Sequence, residues 1–287
     1  MRAGAALVIL IGLVGQVFRA DIDQVVVWAT VHASHGEYAG ALVREDFRVF
    51  DDGQRVPVTE FVHTRRSADI ILLLDNSESL AGSLSDVQAV ADSFLKAIPS
   101  GDRVLLGTFS NITRLAPDFA TDASGLRALV PRTHGANLTT LYDALVEACD
   151  AFEPDDNRRV VLVVSDGSDT ASTSGEGDVI EHAAKSDAVI YSIGVKSRFV
   201  TQGRSIALAN EPSLRRLSED TGGGYIAFTD SIDLERALDS MMEELHQSYL
   251  LGFQPTHADG RVHALAVKVL KPGLTVRARQ HYFAPTR

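Results

Sequence analysis

A chain of 287 residues is long enough for one large core, or for one core with a small second unit. Its content of 45% hydrophobic and 23% charged residues is that of an ordinary globular protein. The formal net charge of −11 argues against nucleic acid as a partner, because phosphate recognition needs basic surface.

Residues 1–20 read as a secretory signal. Arg2 supplies the positive start, and residues 5–17 form an apolar stretch too short for a comfortable membrane span. Cleavage after Ala20 would leave no stable span in the mature chain; retention of the segment as an anchor is the competing reading. The export compartment would be oxidising, yet Cys149 is the single cysteine, so no internal disulfide can form. Cys149 falls among Leu141, Leu145, Ala148 and Phe152, which follow helical spacing, and is read as a small residue at the edge of a buried face.

Residues 21–66 are rich in strand formers and lack a convincing helix. Val25 to Val31, Phe47 to Phe50 and Val56 to Val58 are the runs, with Asp51-Asp52-Gly53 as a hairpin-type turn. From about Ala68 strands alternate with helices. The strands are expected at 69–74, 103–109, 159–165, 188–195 and 224–228, with 112–115 returning antiparallel at an edge. The helices are expected after Ser83, at 139–152, at 176–186 and around Leu234, Leu238, Met241 and Leu245. Ser83 is a candidate N-cap with Asp86 three residues on. This alternation predicts an α/β fold: a doubly wound, mostly parallel sheet flanked by helices, with binding at the strand carboxyl ends. The tail, 249–287, returns to β character through Tyr249 to Phe253, Leu265 to Val269 and Leu274 to Ala278. Neither terminal segment is large enough to fold alone. The expected layout is therefore 21–66 packing with 249–287 as a small β unit beside an α/β domain at 67–248.

The chemistry concentrates at Asp75-Asn76-Ser77-Glu78-Ser79, directly after the apolar run 69–74. A carboxylate and two hydroxyls at alternate positions on a strand-to-helix turn can converge on one point. Hard oxygen ligands at the end of a parallel strand suit a small divalent cation such as Mg²⁺. A second apolar run, 160–164, ends in Ser165-Asp166-Gly167, and Thr139 precedes a helical pattern between the two.

Asp75, Ser77, Ser79, Thr139 and Asp166, in this order and strand context, resemble the metal-ion-dependent adhesion site of von Willebrand factor type A domains. The resemblance implies a Rossmann-like fold and a non-enzymatic adhesion module. Ser77, Ser79 and Thr139 would contact Mg²⁺ (Mn²⁺ or Ca²⁺ in its place), with Asp75 and Asp166 around them. A partner protein would supply an Asp or Glu to the vacant coordination position. Family members can shift their last helix on binding; here that is 231–247. The terminal segments, Glu45 to Gly53, Tyr249 to Phe253 and Gly273 to Arg279, resemble a secreted bacterial group of the acidobacterial type related to the same domain. That likeness implies a secreted, periplasmic or envelope location.

Two positions depart from the family pattern. Leu138 stands where a glycine commonly precedes the threonine, and Glu78 adds a negative charge between the serines. Thr140 competes with Thr139, but Thr139 keeps the family's five-residue offset to Ala144. Asn111-Ile112-Thr113 and Asn137-Leu138-Thr139 fit the glycosylation acceptor pattern and are read as coincidental. The competing functions are a structural envelope protein with a stabilising metal and a metal-assisted hydrolase. The second lacks support: His-Glu-x-x-His, Gly-x-Ser-x-Gly and the phosphate-binding glycine loop are absent from the sequence. Thr221-Gly222-Gly223-Gly224 reads as a helix-to-strand turn rather than an anion cradle.

Overall fold

The computed structural model describes residues 24–33, 42–133, 135, 138–153, 157–201, 204–229 and 231–286. The expected signal segment and Asn137 lie outside the described residues. The chain begins with β1 (Val25–Ala33), β2 (Phe47–Asp51), β3 (Gln54–Val56) and β4 (Glu60–Thr64). The alternating part runs β5 (Ala68–Asp75), α1 (Leu84–Ala97), β6 (Arg103–Phe109), β7 (Thr113–Leu115), the single turn α2 (Ala123–Leu126), α3 (Leu141–Asp150), β8 (Arg158–Ser165), α4 (Glu176–Ser186) and β9 (Val189–Gly194). A hairpin of β10 (Ser197–Thr201) and β11 (Arg204–Leu208) leads to α5 (Glu211–Thr221), β12 (Tyr225–Ala227) and α6 (Ser231–His246). The tail is β13 (Ser248–Phe253), β14 (Val262–Val269), β15 (Leu274–Ala278) and β16 (His281–Phe283).

Six strands form the central sheet in the order β12-β9-β8-β5-β6-β7, parallel except for the short edge strand β7. Both faces are covered, which is why β5 reads as an unbroken apolar run rather than an alternation. Ile70, Leu72 and Leu74 face α1 and α6, in a core with Val90, Phe94, Leu238 and Met241. Ile71 and Leu73 face the other way, in a core with Leu141, Leu145, Val179 and Leu214. Among the described residues no helix is long and apolar enough to cross a membrane.

The two chain ends build antiparallel sheets together, as the α/β fold with a terminal β unit predicts. One sheet has the order β15-β1-β13-β4 and the other β16-β14-β2-β3. The two ends are interleaved: among the described residues β1 pairs with the tail strands β13 and β15, and β2 pairs with β14. Their shared core contains Val27, Val31, Phe47, Val49, Tyr249, Leu251, Phe253 and Tyr282. The Asp52-Gly53 turn between β2 and β3 has both residues at positive φ, 45° and 79°, as a tight hairpin requires. A buried tie joins this unit to the α/β layer. Glu244 of α6 accepts from Tyr191 of β9 at 3.0 Å and from Arg277 of β15 at 2.9 Å.

Three local expectations change. Ser83 occupies the N-cap position of α1 but makes no capping bond; its hydroxyl donates to the Lys196 carbonyl at 2.7 Å, tying α1 to the start of the β10–β11 hairpin. That hairpin has no counterpart in the sequence reading, since 196–208 lacks a long apolar run. Cys149 is not at an edge: it is fully buried in the core under α3, and burial pushes its thiol up to about 12. The Gly222 turn is as expected, at φ 88°, with the Gly223 N–H returning to the Ser218 carbonyl at 2.7 Å.

Phe253 is fully buried and edge-on to Tyr282. Its replacement by alanine should cost about 3–5 kcal/mol. Urea denaturation followed by far-ultraviolet circular dichroism measures this, and a cost below about 1 kcal/mol would contradict the packing described.

Candidate metal centre

The site is set by where the strands stop. Asp75 is the last residue of β5 and Asp166 follows β8 directly; the two strands are parallel neighbours, with Leu74 opposite Val164. Both carboxylates therefore emerge side by side at the carboxyl edge of the sheet. Both are fully buried.

Asp75 is held on two sides. Its Oδ1 accepts the Ser77 N–H at 2.9 Å and its Oδ2 accepts the Ser165 hydroxyl at 2.6 Å. Ser165 in turn accepts the Gly167 N–H at 2.9 Å. Burial, opposed by these hydrogen bonds and reinforced by the Asp166 charge, pushes the Asp75 carboxyl up to about 6. The Ser77 and Ser79 hydroxyl oxygens lie 2.9 Å apart, so the alternate spacing brings them together. Glu78, between them, is exposed to solvent.

Asp166 Oδ1 accepts the Ser168 N–H at 2.9 Å, whereas its Oδ2 is buried without a hydrogen-bond partner among the described residues. Its main-chain carbonyl accepts from Asn210 N–H at 2.6 Å. Gly167 is required beside it: φ is 77°, and a Cβ there would lie 2.7 Å from the Asn210 carbonyl oxygen.

Thr139 is buried on the loop before α3, and its main chain is clamped by the loop after β8. The Thr139 carbonyl accepts from Thr170 and Ala171 N–H at 2.9 and 3.1 Å, and its own N–H donates to the Thr170 hydroxyl at 2.9 Å. Thr140 is committed elsewhere: both its N–H and its hydroxyl donate to the Ser110 carbonyl, at 2.8 and 3.0 Å. Gly135 N–H donates to the Asn76 carbonyl at 2.6 Å, which closes the ring of loops. Leu138, the departure from the family pattern, is 50% exposed beside Thr139.

The five sequence-predicted residues thus lie on three loops that are bonded to one another at one edge of the sheet. Ser165 and Thr170 were missed. Ser165 belongs to an apolar run whose register carried no polar signal, and Thr170 to a polar loop in which many hydroxyls look alike. The donor set fits a divalent cation chemically: it is all oxygen, two neighbouring carboxylates are buried, and Asp166 Oδ2 is orphaned. A second group, Asp51, Asp52 and His263, has ligand atoms within 4.8 Å of one another. Its members are already used, Asp51 by Tyr282 and Thr256 and His263 by Asp52 and Asp259.

Residues 70–168 match the family model of the von Willebrand factor type A domain. The chain contains a domain of this family. No curated protein matches the chain. Among solved structures, it is similar to an aerotolerance-related membrane protein from Bacteroides fragilis, at 16% identity and a TM-score of 0.52, over 62% of this chain and 98% of that one. A von Willebrand factor type A protein from Catenulispora acidiphila gives 11% identity and a TM-score of 0.52, over 83% of this chain and 72% of that one. Proximal thread matrix protein 1 of the mussel byssus, described with a zinc-occupied metal-ion-dependent adhesion motif, gives 15% and 0.51, over 70% of this chain and 50% of that one.

The raised Asp75 fixes a pH dependence. Its folded pKa of about 6 exceeds the ordinary 3.8, so the folded chain binds more protons than the unfolded one between these values. Without divalent cations, stability should fall as pH rises from about 4 through 6, by on the order of 3 kcal/mol for a shift of this size. Asp75→Asn should remove that fall and leave the metal-free protein more stable than wild type at pH 7.5. Urea denaturation in chelator across this range is the check, and parallel profiles for the two proteins would contradict it.

Proposed function

We propose that the protein is a metal-ion-dependent binding module of the secreted or envelope-located kind. Ser77, Ser79 and Thr139 offer hydroxyl oxygens to Mg²⁺, or to Mn²⁺ or Ca²⁺ in its place, and Asp75 and Asp166 supply the negative charge around it. The observation that carries this reading is the pair of fully buried carboxylates at adjacent strand ends, one with an oxygen lacking any partner among the described residues. Burying two like charges together is costly without a compensating cation. A bound divalent ion would supply the counter-charge and an electrophilic position for a ligand oxygen.

Neutral hydroxyls next to the ion leave much of its charge uncompensated at close range. A carboxylate from a partner's Asp or Glu is the matching group, and the contact would be charge-assisted and partly dehydrated. Binding rather than catalysis is the proposed activity, with both carboxylates, Asp75 and Asp166, assigned to the ion. Zinc in the adhesion motif of the byssus protein is in keeping with the same use of this fold. Glu78 points to solvent and does not obstruct the reading.

Thr139→Ala separates adhesion from a purely structural metal, because the clamps on Thr139 hold its main chain rather than its side chain. Metal-free melting temperature should stay within about 2 °C of wild type, a change of under about 0.5 kcal/mol. Magnesium-dependent capture of extracellular or envelope proteins should be lost. If capture by wild type is unaffected by chelation, or Thr139→Ala captures as wild type does, the adhesion reading fails. A metal-induced rise in melting temperature with no metal-dependent capture would favour the structural role.

A further inference from the structure

Away from the cation site, titratable side chains gather at one end of the terminal β unit, around His263 on β14. Its Nδ1 lies 2.7 Å from Asp52 Oδ2 on the β2–β3 turn, and its Nε2 lies 2.9 Å from Asp259 Oδ1 on the loop between β13 and β14. The ring is 11% exposed. It stacks on His257 of the same loop, with centroids 5.2 Å apart, and leans on Tyr282 of β16 at 5.7 Å. Asp51 of β2 and Arg261, at the end of the loop, complete the charged groups of the cluster.

A neutral imidazole carries one N–H and one bare lone pair. Here both nitrogens face carboxylate oxygens, so both contacts are hydrogen bonds only while the ring is doubly protonated. Each aspartate is also pinned by the main chain: Asp52 Oδ1 accepts the Ala264 N–H at 3.0 Å, and Asp259 Oδ1 accepts the Arg261 N–H at 3.1 Å. The Asp259 and Asp52 carboxylates hold the imidazole above its ordinary 6.5, and the ring holds both carboxylates below their ordinary 3.8. Exposed ion pairs contribute little, because long side chains must be ordered to make them. This ring is largely covered, and its partners are already fixed.

We propose that His263 is a proton-operated latch, which fastens residues 257–261 to the β2–β3 turn and releases them when the ring loses one proton. The Nδ1 proton stays, because Asp52 sits on a tight turn bonded to β14 and makes the shorter contact. The Nε2 proton leaves to solvent; its lone pair then faces Asp259, and that carboxylate moves away with its loop. Upstream the loop stays moored, since Asp51 Oδ2 accepts the Thr256 N–H and hydroxyl at 2.7 and 2.6 Å. Thr256 is thus the pivot. The latch is fully formed between the ordinary carboxylate value of 3.8 and the ordinary imidazole value of 6.5. It is lost as pH rises through the raised value of His263, and at the acid end as pH falls through the lowered values of Asp52 and Asp259. The alkaline limb lies above the range in which Asp75 titrates, so the two effects are separable.

Two readouts on the full chain in chelator test this. Long-range ¹H–¹⁵N correlation spectra of histidine-labelled protein should give His263 a midpoint above 6.5 and a neutral form protonated at Nδ1. Tryptic cleavage after Arg261, read by mass spectrometry and normalised to a small peptide substrate, should rise severalfold as pH passes through that midpoint. His263→Gln should be cut at the fast rate on both sides of the midpoint. Asp259→Ala should be cut at that rate too and should lower the His263 midpoint, which keeps the test decisive if His263→Gln does not fold. A wild-type midpoint at or below 6.5, a neutral form protonated at Nε2, or a wild-type cleavage rate that stays level would overturn the latch. So would a rise of wild-type size in Asp259→Ala.

Discussion

Two carboxylates, Asp75 and Asp166, are carried into full burial side by side by strands that have no other place to end. β5 and β8 are neighbours in a sheet covered on both faces, so their carboxyl ends open into the same crowded edge. The cost of burial is visible in the raised pKa of Asp75, to which the Asp166 charge adds, and in an Asp166 oxygen with no hydrogen-bond partner among the described residues. The hydrophobic cores above and below the sheet hold the arrangement in place. A site that is electrostatically unfavourable when empty is one in which a doubly charged ion has the most to gain.

The loops around this pair are fastened mostly through main-chain groups. Thr139 is gripped at its amide and carbonyl by Thr170 and Ala171, Asn76 meets Gly135 through its carbonyl, and Asp166 meets Asn210 through its carbonyl. The side-chain oxygens of Ser77, Ser79 and Thr139 are thereby positioned by scaffolding that does not consume them in these bonds. Ser165 is the exception: its hydroxyl acts directly on Asp75. Asp143 extends the same scheme, receiving Thr173 and Ser174 N–H groups on the loop that follows Asp166.

Much of this was legible in the residues. The continuous apolar runs of β5 and β8 announced a doubly covered sheet, and Asp-x-Ser-x-Ser after the first of them marked the edge where Asp75 and Asp166 meet. The pairing of the two chain ends followed from β-rich segments too short to fold separately. What escaped did so for physical reasons. The β10–β11 hairpin pairs its two strands with each other and lies against the 78–83 turn, and residues 196–208 contain no long apolar run to announce it. Ser83 sits where a cap belongs, yet tertiary contact with Lys196 outcompetes the local bond. Thr139 and Thr140 are separated in the sequence by the five-residue offset of Thr139 to Ala144, and in the structure by the Ser110 carbonyl, which engages Thr140.

The junction between the last helix and the tail carries a mechanical consequence. Gln247 alone separates His246, the end of α6, from Ser248, the start of β13. β13 is an inner strand, paired with β1 on one side and β4 on the other, with every residue buried. Sliding α6 by one turn would draw the chain about 5.4 Å, more than the roughly 3.3 Å between successive strand residues. A slip of one residue would turn the inward side chains of β13 outward. A shift of the helix along its axis would therefore strain the pairing of β13 or be passed on to the terminal sheets, so the two are mechanically coupled.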